Sequence, residues 1–451
     1  MRGPFNNVGF RRLFAGRVVT NVGDSLYFVA AMWLVYQLTG DPVYSGVAGF
    51  LTLAPAALQF LAGPLVDRWP LRETLVATQV VQAVIILVVP TAAFFGVLSV
   101  WVILLVMPLL SLLNQVVYPA QSAALPRLLD DDDLVAANSA FSVAYQGVDT
   151  VANALGGVLI AVVGGVTLFA IDAITFIAAA MLFLSVRIPS ADAGSTNSVT
   201  SVSDGDGPPG DSDESATFES EAGTATDGGQ THDSYFERLR SGSRVVRGSF
   251  LAPLIVGAAV ANFTVGGALA AMPAYADAIA GASFVASLGE AGTYGILMAA
   301  FAAGSLVGAV AAGAVADRPL GRLLVAGFAL SGGLWALAVG IDWLPATGLL
   351  LVGTFVPVGI VNVQLAATVQ AAVPDDLVGR VSSLLGSATA VAVPFGSLAG
   401  GIVAGEFGPR AAMYLGATGV AAFALYALSQ PSLRGLPAAA EVSLDSTGLN
   451  G

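Results

Sequence analysis

Three carboxylates stand inside long apolar runs of the sequence: Asp24, Asp149 and Asp172. A lone charge at the centre of a bilayer costs about 3 kcal/mol or more, so an ionisable group there marks a functional candidate. Low dielectric favours the neutral form of a carboxyl group and water access restores the charged one, so such a group can take up and release a proton. These three are the candidates for ion coupling. At 1.5 Å per helical residue, Asp149 lies roughly 16 Å into its run and Asp24 roughly 12 Å from the polar edge of its own. Asp172 is about two turns from the far end of its run. Asn21 stands one turn before Asp24 and shares its face. The reading places no cation within the membrane to pair with any of the three. The amides Asn114, Gln115, Asn262, Asn362 and Gln364 also fall in apolar runs. For acids and amides alike, the plainer role is a hydrogen bond between neighbouring helices.

A second chemistry is repeated. Residues 63–72 read GPLVDRWPLR and residues 313–322 read GAVADRPLGR. An Asp at a helix end can accept N–H bonds from another helix N-terminus, and the neighbouring Arg can bridge to a carboxylate. Contacts worth about 1–3 kcal/mol bias a two-state equilibrium without freezing it. Gly63, Asp67, Arg68 and Arg72, with Gly313, Asp317, Arg318 and Arg322, are therefore read as a conformational latch. The alternative is simple anchoring of a tight loop by its arginines.

The elements that carry these groups must be membrane helices. The chain is 56% hydrophobic and 10% charged, too apolar for a soluble exterior. A span needs about 20 apolar residues, and twelve stretches qualify: 16–38, 43–66, 74–95, 98–123, 138–163, 166–187, 250–272, 290–312, 323–342, 346–370, 381–404 and 409–430. Each must satisfy its own backbone in hydrocarbon, hence an all-α polytopic membrane protein. No secretory signal peptide is read; the N-terminal arginines lead into the first span. With twelve spans, 16 of the 17 arginines fall on one face and only Arg410 on the other. The positive-inside rule then puts both termini in the cytoplasm of a plasma-membrane protein.

Cysteine is absent and the single His232 lies in a polar stretch, so disulfides and thiolate chemistry are excluded. No metal site and no cofactor are expected, and no phosphate-binding Gly loop follows a strand. Lysine is also absent, and the net charge is −13. That balance speaks against a nucleic-acid partner and resembles proteins of halophiles with a salt-rich cytoplasm. Residues 188–237 hold eleven acids and no cation, an expected disordered linker. An interfacial amphipathic helix is expected over Arg238, Arg240, Arg244 and Arg247. The domain reading is 1–187, a linker at 188–237, 238–430, and a cytoplasmic tail at 431–451.

The halves are copies. Tyr44, Gly63, Asp67-Arg68 and Arg72 match Tyr294, Gly313, Asp317-Arg318 and Arg322 at one offset. NQVVYPAQSAALP (114–126) parallels NVQLAATVQAAVP (362–374), and DLVAANS parallels DLVGRVS (376–382). Two six-span copies of one topology form the parallel repeat of a large class of secondary transporters.

At these residues the sequence resembles the major facilitator superfamily. The family's loop signature, Gly-x-Leu-x-Asp-Arg-x-Gly-Arg-Lys, is kept at Gly63, Leu65, Asp67, Arg68 and Arg72, with Pro70 and Leu71 as departures. YPAQSAALPRLL (118–129), LVAANSAFS (134–142), IDAITFIAAA (171–180) and GRVSSL (379–384) are similar to the multidrug, macrolide and enterobactin exporter branch. Gly147, Gly156 and Gly157 resemble the exporters' antiporter signature without its Pro. The fourth span lacks the Arg of another antiporter branch. The resemblance implies two six-helix bundles and a cavity lined by spans 1, 4, 7 and 10. Asn21, Phe28, Asn114, Gln115, Asn262, Phe263, Asn362 and Gln364 would then contact a small-molecule substrate. The expected function is ion-coupled export, by H⁺ or Na⁺ antiport, of amphipathic drugs or lipophilic metabolites by a monomer in the lipid bilayer. Siderophore export is the alternative within the fold; a transport-dead receptor or a membrane enzyme is the alternative outside it.

Overall fold

In the computed structural model, residues 3–61, 69–189, 249–281, 289–372, 375–438 and 441 are described. The acidic stretch from 190, the expected amphipathic helix, most of the tail, and Gly63, Asp67 and Arg68 lie outside them. The described chain is helical throughout. The elements are α1 (Val8–Thr39), α2 (Pro42–Leu53), α3 (Leu71–Ile86), α4 (Val88–Phe94), α5 (Val100–Leu128), α6 (Asp131–Val163) and α7 (Gly165–Leu184). They continue as α8 (Leu251–Ala280), α9 (Gly289–Ala311), α10 (Leu320–Val339), α11 (Leu344–Ala372), α12 (Asp375–Phe407), α13 (Pro409–Ser429) and the short α14 (Pro431–Arg434).

Among the described residues nine helices are long and apolar enough to span on their own, ten with α6, which bends by 45°. The two remaining expected spans fall on α2, which passes into a 3₁₀ segment, Ala54–Leu61, at the edge of the described residues, and on the 33-residue α12. The first span also starts earlier than the sequence reading has it. Asn7 caps α1 by accepting from the Phe10 N–H at 3.0 Å, which satisfies one of the orphan donors of a helix start. Arg17 therefore stands in the third turn of α1 and not at its polar edge.

Packing repeats the sequence symmetry. α1 lies on α7 and α6 as α8 lies on α13 and α12, and α3 meets α7 as α10 meets α13. The α6–α7 corner turns at Gly164 and the α12–α13 corner at Gly408, with φ of 83° and 86°. Their ψ values of 152° and 158° complete a backbone conformation open essentially to glycine alone.

The two sets of helices meet along two equivalent seams, α2 on α12 and α6 on α9. Both seams are backbone contacts that only small residues allow. A Cβ on Gly157 would fall 1.8 Å from the Gly295 Cα, and one on Gly46 would fall 2.8 Å from the Gly401 Cα. These glycines lie toward the end of the molecule opposite the N-terminus. There Trp33 of α1 stacks on Tyr294 of α9 with centroids 5.5 Å apart, and the Tyr36 hydroxyl donates to Asp277 Oδ2 at 2.7 Å.

Candidate functional site

A cavity of about 460 Å³ opens beside α1, α5 and α6, lined by Asn21, Asp24, Phe28, Asn114, Gln115 and Asp149 among others. Helical spacing explains the α1 contribution: Arg17, Asn21, Asp24, Ser25 and Phe28 recur at three- and four-residue steps and share one face. Asp149 of α6 is tied to that face. Its Oδ1 accepts from the Ser25 hydroxyl at 2.6 Å and from Asn21 Nδ2 at 3.2 Å. Asp24 accepts from Asn114 Nδ2 of α5 at 3.3 Å. Gln115 bonds the Ser111 carbonyl one turn earlier at 3.2 Å.

Arg17 changes the electrostatics expected from the sequence. It is buried at 7% exposure and lines the same cavity, so the expectation of no intramembrane cation is corrected. Its Nε donates to Gln121 Oε1 at 2.8 Å and to the Tyr145 hydroxyl at 3.1 Å. Tyr145 in turn donates to Gln121, and the guanidinium carbon lies 5.5 Å from the Tyr145 ring centre. Its hydrogen-bond partners among the described residues are thus all neutral. Sorting arginines by loop hid it, because a side chain two turns before Asp24 was counted with the polar edge. The signal was nevertheless present: Arg17 precedes Asp24 by seven residues, and Tyr145 precedes Asp149 by four.

Asp172 is placed differently. It is wholly buried and lines no part of the cavity. Its Oδ1 accepts from the Thr175 hydroxyl at 2.8 Å, while Oδ2 has no hydrogen-bond partner among the described residues. It fits because residue 23 is Gly; a Cβ there would sit 1.8 Å from the Asp172 Oδ1.

The candidates of the second half are dispersed. Asn262 bonds its own helix at the Ala258 carbonyl, 2.9 Å away. Gln364 is buried and donates to the Ala312 carbonyl at 2.7 Å. Neither these nor Phe263 and Asn362 line the polar cavity, whose walls come from α1, α5 and α6. A second cavity of about 120 Å³ does join the halves. It is apolar, between Phe28, Met32, Leu269, Tyr294, Met298 and Phe301. Phe28 borders both cavities.

Of the latch residues, Gly313 lies in the 3₁₀ segment Ala312–Val315, and Asp317, Arg318 and Arg322 are exposed beyond it. The start of α10 is capped within its own half: Leu320 and Gly321 donate to the Pro437 and Leu436 carbonyls at 2.9 and 3.2 Å. Arg72 donates to the Leu184 carbonyl at the end of α7.

The arrangement is that of a multi-pass helical transporter, with two matched sets of helices, a polar cavity walled by the first and a small apolar cavity between them. Residues 13–392 match the family model described as Major Facilitator Superfamily, and the chain belongs to that family. Curated relatives include the uncharacterized MFS-type transporter YvqJ of Bacillus subtilis (strain 168), 23% identical over 42% of this chain and 45% of the relative. Macrolide efflux protein A of Streptococcus pyogenes is 25% identical over 41% of this chain and 46% of its own length. The chain thus matches less than half the length of these relatives. Among solved structures, a bacterial homolog of the human lysosomal transporter Spinster, inward-facing and unoccupied, has a TM-score of 0.63 at 14% identity over 98% of each chain. The nucleoside transporter NupG has a TM-score of 0.67 at 11% identity, over 93% of this chain and 98% of its own.

Proposed function

We propose that this transporter is an ion-coupled exporter of amphipathic molecules that carry a protonated amine. The observation that carries the reading is Phe28. It borders both the polar cavity holding Asp24 and Asp149 and the apolar cavity between the halves. A molecule placed there sets its charge among carboxylates and its apolar body among Met32, Met298 and Phe301. Two carboxylates and one guanidinium leave the polar cavity one negative charge in excess. A proton or a cationic substrate would each neutralise it, and exclusion of one by the other is antiport. The resemblance to a macrolide efflux protein supports export.

Asp149 is the proposed coupling residue, because its hydroxyl and amide donors Ser25 and Asn21 leave it facing the cavity. Asp24 is the second proposed site. Asp172 has no cavity access here, which favours packing against Gly23 and Thr175. The proposed setting is the plasma membrane with cytoplasmic termini, and the cavity then faces inward while the glycine seams close the outer side.

The test is efflux from proteoliposomes of a lipophilic amine dye under imposed pH or Na⁺ gradients. We expect uphill efflux under a proton gradient, and downhill exchange alone in Asp149→Asn. Uphill efflux driven only by Na⁺ would replace the proton in this reading. Uphill transport by Asp24→Asn, Asp149→Asn and their double variant would make these acids structural.

A further inference from the structure

A third cavity, of about 520 Å³, lies outside the transport path at the N-terminal end of the molecule. The start of α1, the end of α5 and the segment after α7 build it, and Asn7, Arg12, Arg127, Ser185 and Arg187 line it. Three arginines thus converge where no carboxylate is among the described lining residues. That is unusual in a chain with 30 acids and 17 cations. Asp130, Asp132 and Asp133 follow Arg127 closely, yet among the described residues they line no part of the cavity and form no ion pair with Arg127.

Among the described residues, the local bonds leave the cationic groups available. Arg12 donates through Nη1 to the Ser185 carbonyl at 2.6 Å, capping the end of α7, and its guanidinium makes no other hydrogen bond among the described residues. Asn7 donates to the Leu128 carbonyl at the end of α5, which fixes the wall between α1 and Arg127. Val8 and Gly9 also border the cavity. They are the first residues of a 32-residue helix, whose opening N–H groups have no partner within it and carry the positive end of its dipole. Guanidinium forks and free N–H groups together match a ligand with several anionic oxygens. The volume is that of a small-ligand site.

We propose that this cavity binds a phosphate group, held by Arg12, Arg127 and Arg187 against the start of α1. Phosphate chemistry reaches the site from two sources, the head group of an anionic phospholipid or a soluble phosphate. The site stands at the helix ends on the arginine-rich face, the level at which basic pockets between membrane helices meet head groups. Binding there is separate from the central cavity and does not depend on transport.

The experiment uses the full chain in nanodiscs of phosphatidylcholine, with or without phosphatidylglycerol. Native mass spectrometry counts retained lipid, and thermal unfolding in the phosphatidylcholine discs is followed as inorganic phosphate replaces chloride at constant ionic strength. The variant is Arg127→Gln/Arg187→Gln, which spares the Arg12 cap on Ser185. We expect phosphatidylglycerol to be retained over phosphatidylcholine, with about thirtyfold weaker retention in the double Gln variant. The double Lys variant keeps the charges and should regain part of that retention. A rise in Tm with inorganic phosphate, lost in the double Gln variant, supports the site with a soluble source instead. Equal retention of both lipids together with no phosphate effect on Tm overturns the proposal. So does an effect of either ligand that survives the double Gln substitution.

Discussion

Arg17 and Asp172 show how a single side chain in low dielectric is made tolerable, one by neutral partners and one by missing atoms. Arg17 donates only to Gln121, Tyr145 and Thr20 among the described residues, and desolvating a guanidinium that has no carboxylate in direct contact is costly. Arg17→Gln should therefore leave thermal stability unchanged or raised while lowering turnover at least tenfold. Circular dichroism melts and dye counterflow read the two effects, and a large loss of Tm would show the arginine to be structural. Asp172 depends on the hydrogen at position 23. Gly23→Ala pushes a methyl into its carboxylate, and overpacking of this kind costs about 1–3 kcal/mol. Asp172→Ala should rescue Gly23→Ala in a double-mutant cycle of denaturation free energies. Additive effects would mean that the two residues do not press on each other.

At the scale of elements, the seams decide which end of the molecule is shut. Gly157 and Gly295 touch through backbone, as do Gly46 and Gly401, so any side chain there separates two helices. Gly157→Val should shift the balance away from this conformation by roughly tenfold to a hundredfold, the equivalent of about 1–3 kcal/mol of overpacking. Spin labels at positions 41 and 406 should then report longer distances across the seam. An unchanged distance distribution would mean that α6 and α9 take up the valine without opening this end. Much of this level was legible in advance. Long apolar runs and the twinned Asp-Arg loops announced a repeated helical membrane fold, and apolar runs need no knowledge of neighbours to be recognised. The spans expected at 43–66 and 381–404 fall on α2 with its 3₁₀ continuation Ala54–Leu61 and on the 33-residue α12. The site was half legible. Depth alone pointed to Asp24 and Asp149, whose partners are Asn114 for the first and Ser25 and Asn21 for the second. Arg17 was missed because capping by Asn7 moved the start of α1, and Gln364 was drawn away by a carbonyl 52 residues distant in sequence.

For the whole molecule, the exposed second loop and its first copy at 63–72 should matter only in the opposite state. There the arginine-rich ends of the bundles would close, and Asp67, Arg68, Asp317 and Arg318 would find partners across the gap. Asp67→Asn is expected to lower turnover several-fold with near-normal expression, and to favour the conformation seen here. Double electron–electron resonance across the two loops checks this; unchanged distances and turnover would leave the loops as orientation signals. Topology has its own measurement. Protease should cut residues 188–237 in inside-out vesicles and spare them in right-side-out ones, and the converse would reverse the assigned orientation.

Trp33 stacks on Tyr294 across the two halves, at the end where the seams close. Any opening of that end must unstack the pair and hand the indole to water, and an indole in water emits at longer wavelength than one in an apolar contact. Trp335, by contrast, packs on Phe355 within the second half and should keep its emission through the cycle. The chain thus carries its own optical gauge of conformation. Subtracting the spectrum of Trp33→Phe from that of the unsubstituted chain would let light alone follow the outer opening during turnover, with no label attached.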